Sequence, residues 1–114
     1  MFLMLSRKFR ISKKKEYKKI YKNGRRVSGK FIIVFVMRNF SKNSRFGVVT
    51  SRKLGNAVKR NRTRRKLRAV IRQNMERMKN YADVVIVAKK SAVDADFYLL
   101  EKDFLFVMRK AGLC

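Results

Sequence analysis

Histidine, tryptophan and proline are absent from this chain, cysteine occurs once, and aspartate and glutamate together number seven among 114 residues. Without histidine or a cysteine cluster, a zinc site has no ligands of the usual kind. The lone Cys114 excludes a disulfide framework. Carboxylates are too sparse for a clustered metal site: the first 75 residues hold one acid, Glu16, and Asp94 and Asp96 read better as helix caps. A nuclease acting alone, whether carboxylate–metal or histidine based, is therefore poorly provided for. No run of 18 apolar residues occurs, so no membrane-spanning helix is expected. The opening Met1-Phe2-Leu3-Met4-Leu5 is shorter than a signal-peptide core and has no basic flank before it. Residues 1–6 are expected to form a frayed or surface-packed tail, and the expected compartment is the cytoplasm. The lack of proline and the five glycines point to short connections.

What is present is a core and a large excess of positive charge. Hydrophobic residues make up 46% and aromatics 11%, too apolar for a disordered basic tail, and the length suits a single domain over residues 1–114. Lysine and arginine total 32, for a net charge of +25. The excess is uneven: residues 1–75 carry 25 of those cations, and residues 76–114 are close to neutral. Self-repulsion on that scale argues against a merely solubilising surface and for a polyanionic partner. An anionic membrane surface fits less well than nucleic acid, because the arginine-rich turns lack an opposing apolar face.

The elements follow from periodicity. Ser12 is a candidate N-cap for a helix over Lys13 to Asn23 that Gly24 closes. Its narrow stripe is Tyr17, Ile20 and Tyr21, and lysines fill the rest. Two readings stand for those tyrosines: ordinary core, or a stacking surface for unpaired bases. Val27 to Met37 reads as a central strand covered on both faces, with Gly29 splitting off a short first strand. Asn39 to Ser44, Phe40 included, is a turn into a strand over Arg45 to Ser51, expected antiparallel from the shortness of the connection. A helix spans roughly Asn56 to Lys79, with Leu67, Ile71, Met75 and Met78 on one stripe and Val70 beside it. Asp83 to Lys89 is a second buried strand. Asp94 or Asp96 caps a final helix, read as a lid over the sheet, whose Phe97, Leu100, Phe104, Val107 and Ala111 repeat on one face, and Gly112 ends it.

The long helix holds the unusual chemistry. Between Val58 and Leu67 stand Lys59, Arg60, Arg62, Arg64, Arg65 and Lys66, with Asn61 and Thr63 between them. In a helix those six cations occupy about 12 Å of axis. They repel one another at i,i+4 and oppose the macrodipole at its N-terminal end. Folding gains nothing from such a run, whereas a polyphosphate partner would be held by it. Arg60 and Arg64 continue the apolar stripe one and two turns earlier, so the first turns overhang the core or line a cleft. Asn61, Arg65, Arg68 and Arg72 form an adjacent stripe.

The run Arg52-Lys53-Leu54-Gly55-Asn56-Ala57-Val58-Lys59-Arg60-Asn61-Arg62, continuing through Arg65 and Arg68, closely resembles the signature of the bacterial ribonuclease P protein subunit. Arg45, Gly47, Ser51 and Lys53 match the approach to that motif, and the likeness extends from about Phe9 to Met108. The resemblance implies an α+β fold, an αβββαβα sandwich on a four-stranded mixed sheet with a left-handed βαβ crossover, similar to a ribosomal-protein domain. It implies partnership with a large catalytic RNA that removes the 5′ leader of precursor tRNA, with the active site and its Mg²⁺ on the RNA. Arg52, Lys53, Asn56, Arg60, Asn61, Arg62, Arg65 and Arg68 are then expected to contact that RNA. Tyr17, Tyr21, Arg60 and Arg64 would hold the single-stranded leader in a cleft. A further cleft position falls at Val34, with Phe35 expected to face the other way. No protein-bound metal and no homo-oligomer are required. The competing non-catalytic reading is a ribosomal or RNA-chaperone-type binder.

Overall fold

A computed structural model describes residues 6–39 and 43–114. The expectations for Met1 to Leu5 and for Phe40 lie outside the described residues. Seven principal elements follow one another: α1 (Lys14–Asn23), β1 (Arg25–Ser28), β2 (Ile32–Arg38), β3 (Arg45–Val49), α2 (Ala57–Asn74), β4 (Ala82–Ala88) and α3 (Phe97–Lys110). The four strands form one mixed sheet in the order β1-β2-β4-β3.

Side chains alternate across that sheet and divide it into two unequal faces. One face carries Ile32 and Val34 of β2 and Val84 and Ile86 of β4, which with Phe46 are buried beneath α2 and α3 in the main core. The other carries Val85, buried with Ile11 and Ile20 under α1, and Tyr17, Phe35, Met37, Val49 and Val87 pack around it. The apolar runs seen in β2 and β4 are thus those of central strands covered from both sides.

Several expectations are corrected. β3 is not a neighbour of β2: β4 lies between them, antiparallel to β2 and parallel to β3. The short connection does reverse the chain, but the middle position goes to the more apolar β4, five of whose seven residues are buried without interruption. The free edge of β3 is covered by the segment before α1, where Ile11 N–H donates to the Phe46 carbonyl at 2.9 Å. The first helix has Lys13, not Ser12, at its N-cap, without a side-chain cap. Gly24 ends it in an extended conformation, and glycine is needed there because a Cβ would lie 2.5 Å from the Ile20 carbonyl oxygen and against β2. The basic helix ends at Asn74 and passes into a 3₁₀ turn over Met75–Arg77. Of the two candidate caps, Asp96 is the one that closes α3, accepting from Leu99 N–H at 2.9 Å.

Asp103, which the pattern did not single out, fastens α3 to the sheet. Its carboxylate accepts from the backbone amides of Lys30 and Phe31 at 2.8 Å each and of Ile32 at 3.2 Å. Gly29 is required beneath it, since a Cβ would stand 2.6 Å from both carboxylate oxygens.

Candidate nucleic-acid interface

The basic helix is launched by a tight approach. Arg52–Leu54 form a 3₁₀ turn anchored by buried Leu54, and Gly55 follows at φ 127°, a region favouring a residue without a Cβ. Asn56 then caps α2, its Oδ1 accepting from Lys59 N–H at 3.0 Å. The cap offsets the absence of any acid in the first turn, a contribution of about 1 kcal/mol. Thr63 is fully buried and its Oγ1 donates to the Lys59 carbonyl at 2.9 Å. The second turn therefore packs through a small polar residue where no apolar one is available.

Seating on Thr63, Leu67, Val70, Ile71 and Asn74 fixes where the cations go. Arg52, Lys53, Asn56, Lys59, Asn61, Arg62 and Arg65 are exposed; Arg60, Arg64, Arg68 and Arg72 are half-buried. Arg64 reaches back to the end of β3, donating from Nη2 to Thr50 Oγ1 at 2.6 Å and from Nη1 to Asn61 Oδ1 at 2.7 Å. Lys66 turns inward, its Nζ donating to the carbonyls of Val93 and Ala95. Among the described residues both ion pairs belong to Arg45, so no carboxylate neutralises the cations from Arg52 to Arg72. The buried Nε atoms of Arg60 and Arg72 have no hydrogen-bond partner there either. Arg68 is held below its ordinary pKa by burial first, then by the charges of Arg10 and Arg64.

A second feature adjoins this one, on the sheet face that α1 crosses. Tyr17 approaches β3 closely because residue 47 is glycine: a Cβ there would collide with its ring and hydroxyl. Its hydroxyl donates to the Ile11 carbonyl at 3.0 Å. Tyr21, 41% exposed, meets the Phe35 ring edge-on, with centroids 4.9 Å apart. The strand register places Arg26, Phe35, Val85 and Gly47 in one row under α1. The next row, Ser28, Ile33, Val87 and Val49, leaves Ile33, Val87 and Val49 only half-buried. This second row is the floor of a cleft beside α1. At one end Lys89 Nζ donates to Ser28 Oγ and the Gly29 carbonyl. At the other, Val49 leads to Thr50 and the Arg64 guanidinium that Thr50 holds.

The wall of the cleft is locked electrostatically. Arg45 pairs with Asp83 through two hydrogen bonds at 3.0 and 2.8 Å and with Glu16 of α1 at 2.6 Å. The Asp83 bonds raise the Arg45 pKa well above its ordinary value; burial opposes and Glu16 adds to the rise. The single acid of the first 75 residues is thus spent on positioning α1. Between the segment preceding α1 and the middle of α2, Arg7, Arg10, Ile11, Ser12 and Arg68 surround a polar hollow of about 510 Å³.

The structure brings Tyr17, Arg64 and Arg68 close enough that both guanidinium charges act on the tyrosine hydroxyl, against the burial that raises its pKa. Tyr21 stands one turn further along α1. Val34 is not in the cleft: it is fully buried in the main core on the opposite face. Phe35, expected to point away, is the β2 aromatic beside Tyr17 and Tyr21. The reason is strand phase, since Ile32 and Val34 face the core and an alternating strand sends Ile33 and Phe35 to the α1 side. The half-buried floor of Ile33, Val49 and Val87 was also missed. A continuous apolar run conceals which alternate residues lie on the less covered face, and only the register reveals it.

The family described as Ribonuclease P matches residues 5–112 of this chain. A ribonuclease P protein component from Syntrophomonas wolfei is 42% identical over 110 residues, covering 96% of this chain and 92% of that protein. The corresponding protein of Clostridioides difficile is 31% identical over 104 residues, covering 90% and 91%. Among solved structures, the Staphylococcus aureus RNase P protein superposes with a TM-score of 0.84 at 27% identity, covering 92% of this chain and 96% of that one. The Thermotoga maritima RNase P protein gives 0.80 at 26% identity, covering 88% and 96%.

Proposed function

Because this chain belongs to the ribonuclease P family of proteins, we propose that it is the protein subunit of a ribonucleoprotein that removes the 5′ leader from precursor tRNA. Two surfaces divide the work. The turn leading into α2 and the outer side of α2, with Arg52, Lys53, Asn56, Asn61, Arg62 and Arg65 exposed and Arg60 and Arg68 half-buried, takes phosphates of the catalytic RNA. Asn56 contributes chiefly as the cap that sets the helix, since its Oδ1 is already engaged. The cleft of Tyr17, Tyr21 and Phe35, floored by Ile33, Val49 and Val87 and closed by Arg64, takes the single-stranded leader.

The observation that carries this reading is the junction of the two surfaces: an arginine-rich helix without carboxylate partners opens directly onto an aromatic cleft. Phosphate contacts supply affinity and set position but carry little sequence information. Stacking on the exposed tyrosine would add about 1–3 kcal/mol per base, with little sequence preference. A grip on the leader favours precursor over mature tRNA, because the product lacks what is gripped.

The described residues contain no group of three or more His, Cys, Asp or Glu side chains able to hold a metal ion. In this reading Mg²⁺ is held mainly by the RNA, and this chain's own residues bind and orient. Their positive charge replaces part of the diffuse Mg²⁺ that the folded RNA would otherwise need.

The test is reconstitution with the catalytic RNA at limiting Mg²⁺. Wild-type protein should lower the Mg²⁺ midpoint for cleavage and bind precursor more tightly than mature tRNA. Replacing Tyr17 and Tyr21 by Ala should preserve RNA assembly and abolish the precursor preference. Equal binding of precursor and mature tRNA by the wild-type complex would instead indicate a general RNA binder.

A further inference from the structure

The final helix carries a second apolar stripe that neither the core nor the RNA faces use. Its inner stripe is Leu100, Phe104, Val107 and Met108, all buried. Leu99 and Phe106, two turns apart on another face, remain 40% and 44% exposed. With Phe31 of the β1–β2 turn they line a groove of about 360 Å³. The groove is bordered by Lys30, Lys102 and Arg109, and Lys110 Nζ lies 5.2 Å from the Phe106 ring centre.

Among the described residues no carboxylate forms an ion pair with those cations, and the one acid lining the groove, Asp103, offsets only part of their charge. Asp103 reaches the groove but both its oxygens are occupied by the amides of residues 30–32. Glu101 accepts from Asn74, and the ion pairs of the described residues lie elsewhere, at Arg45. The floor is also rigid, because Asp103 fastens the turn that presents Phe31. α3 packs on the main-core face and α1 on the other, so the groove lies behind the sheet from the leader cleft, and both can be occupied together.

We propose that this groove receives a segment of another protein: an amphipathic helix with two apolar anchors one or two turns apart, flanked by Asp or Glu. Charge complementarity decides the occupant. A second copy of this chain, at +25, would bring cations to cations. RNA is drawn first to residues 1–75, where the positive charge is concentrated, and the groove wall between the cations is aliphatic and aromatic. An acidic helix satisfies both features, its anchors entering beside Leu99 and Phe106 and its carboxylates meeting Lys30, Lys102, Arg109 and Lys110. The proposal concerns a protein contact outside the RNA-processing surfaces and does not depend on how those surfaces divide their work.

The experiment uses full-length protein assembled with its catalytic RNA and three fluorescent probes. These are a designed helical peptide with Leu and Phe seven residues apart flanked by Glu, the same peptide with Lys for Glu, and an oligouridylate. Binding of the Glu peptide in the micromolar range, weakened about ten-fold or more by Phe106→Asp and by Lys102→Glu, is the expected result. The Lys peptide should not bind, and precursor-tRNA cleavage should be unchanged in both variants. As a check on folding, the circular dichroism and melting temperature of each variant should match wild type, Leu99→Ala serving as a milder third variant. Equal peptide binding by wild type and all folded variants overturns the proposal. So does oligouridylate binding that Phe106→Asp removes, or self-association through this face detected by sedimentation.

Discussion

At Tyr17 a phenolic hydroxyl donating to the Ile11 carbonyl and a ring resting on Gly47 tie α1, β3 and the preceding segment together. The bond requires the protonated phenol, and burial holds its pKa above the ordinary 10.0. A group that binds its proton more tightly when folded stabilises fully below the unfolded value and loses that contribution as pH rises through the folded one. Stability should therefore fall above pH 10. Tyr17→Phe should lose that part of the alkaline decline while giving up about 0.5–1.5 kcal/mol at neutral pH for the missing hydrogen bond. Urea titrations at pH 8 and above pH 10 measure both, and identical pH profiles would rule the linkage out. The tyrosines were legible as a stripe in the sequence, but the two readings for them stayed open because the same spacing serves core or cleft. Tyr17 turns out to do structural work at the edge of the cleft, while Tyr21 is the more exposed ring.

Among the elements, α2 and α3 show opposite uses of charge. α2 leaves arginines uncompensated, so Arg62→Ala with Arg65→Ala should weaken catalytic-RNA binding and shallow its log–log salt dependence. The expected change is about 0.7–0.9 per lost phosphate contact. Both side chains are exposed, so melting temperature should hold while filter binding across salt concentrations reports the slope. An unchanged slope would mean that neither touches phosphate. α3 instead buries Asp103 against three backbone amides. Asp103→Ala should cost roughly 2–3 kcal/mol, because charged hydrogen bonds are lost and part-buried amides are left unpaired. Urea unfolding with an unchanged m-value would show this; a loss below about 0.5 kcal/mol would mean that water replaces the carboxylate. The basic run and its Asn56 cap could be read from residue order. Asp103 could not, because its partners lie more than 70 positions away and an acid in a helix, here two residues after Glu101, carries no local signal of burial.

Over the whole molecule the charge excess sets the response to solvent. With +25 on one small chain and two ion-paired carboxylates, Glu16 and Asp83, among the described residues, like-charge repulsion opposes compaction. Screening shortens its range from about 30 Å at 0.01 M salt to about 8 Å at 0.15 M. The free protein should melt at a higher temperature as sodium chloride rises over that range, by calorimetry, before any RNA is present. A melting temperature that stays flat or falls would show that local pairing already balances the field. Among the described residues no helix is long and apolar enough to cross a membrane.

Composition and residue order alone determined that this chain folds, that its partner is a polyanion, and where the cationic helix begins and is capped. Each of these follows from local periodicity or summed charge. Tertiary structure decided that β4 separates β2 from β3, that Phe35 and not Val34 faces the cleft, and that Asp103 pins the final helix. Strand neighbours and strand faces depend on which apolar surfaces meet across long sequence separations, and an unbroken apolar strand keeps no record of that choice.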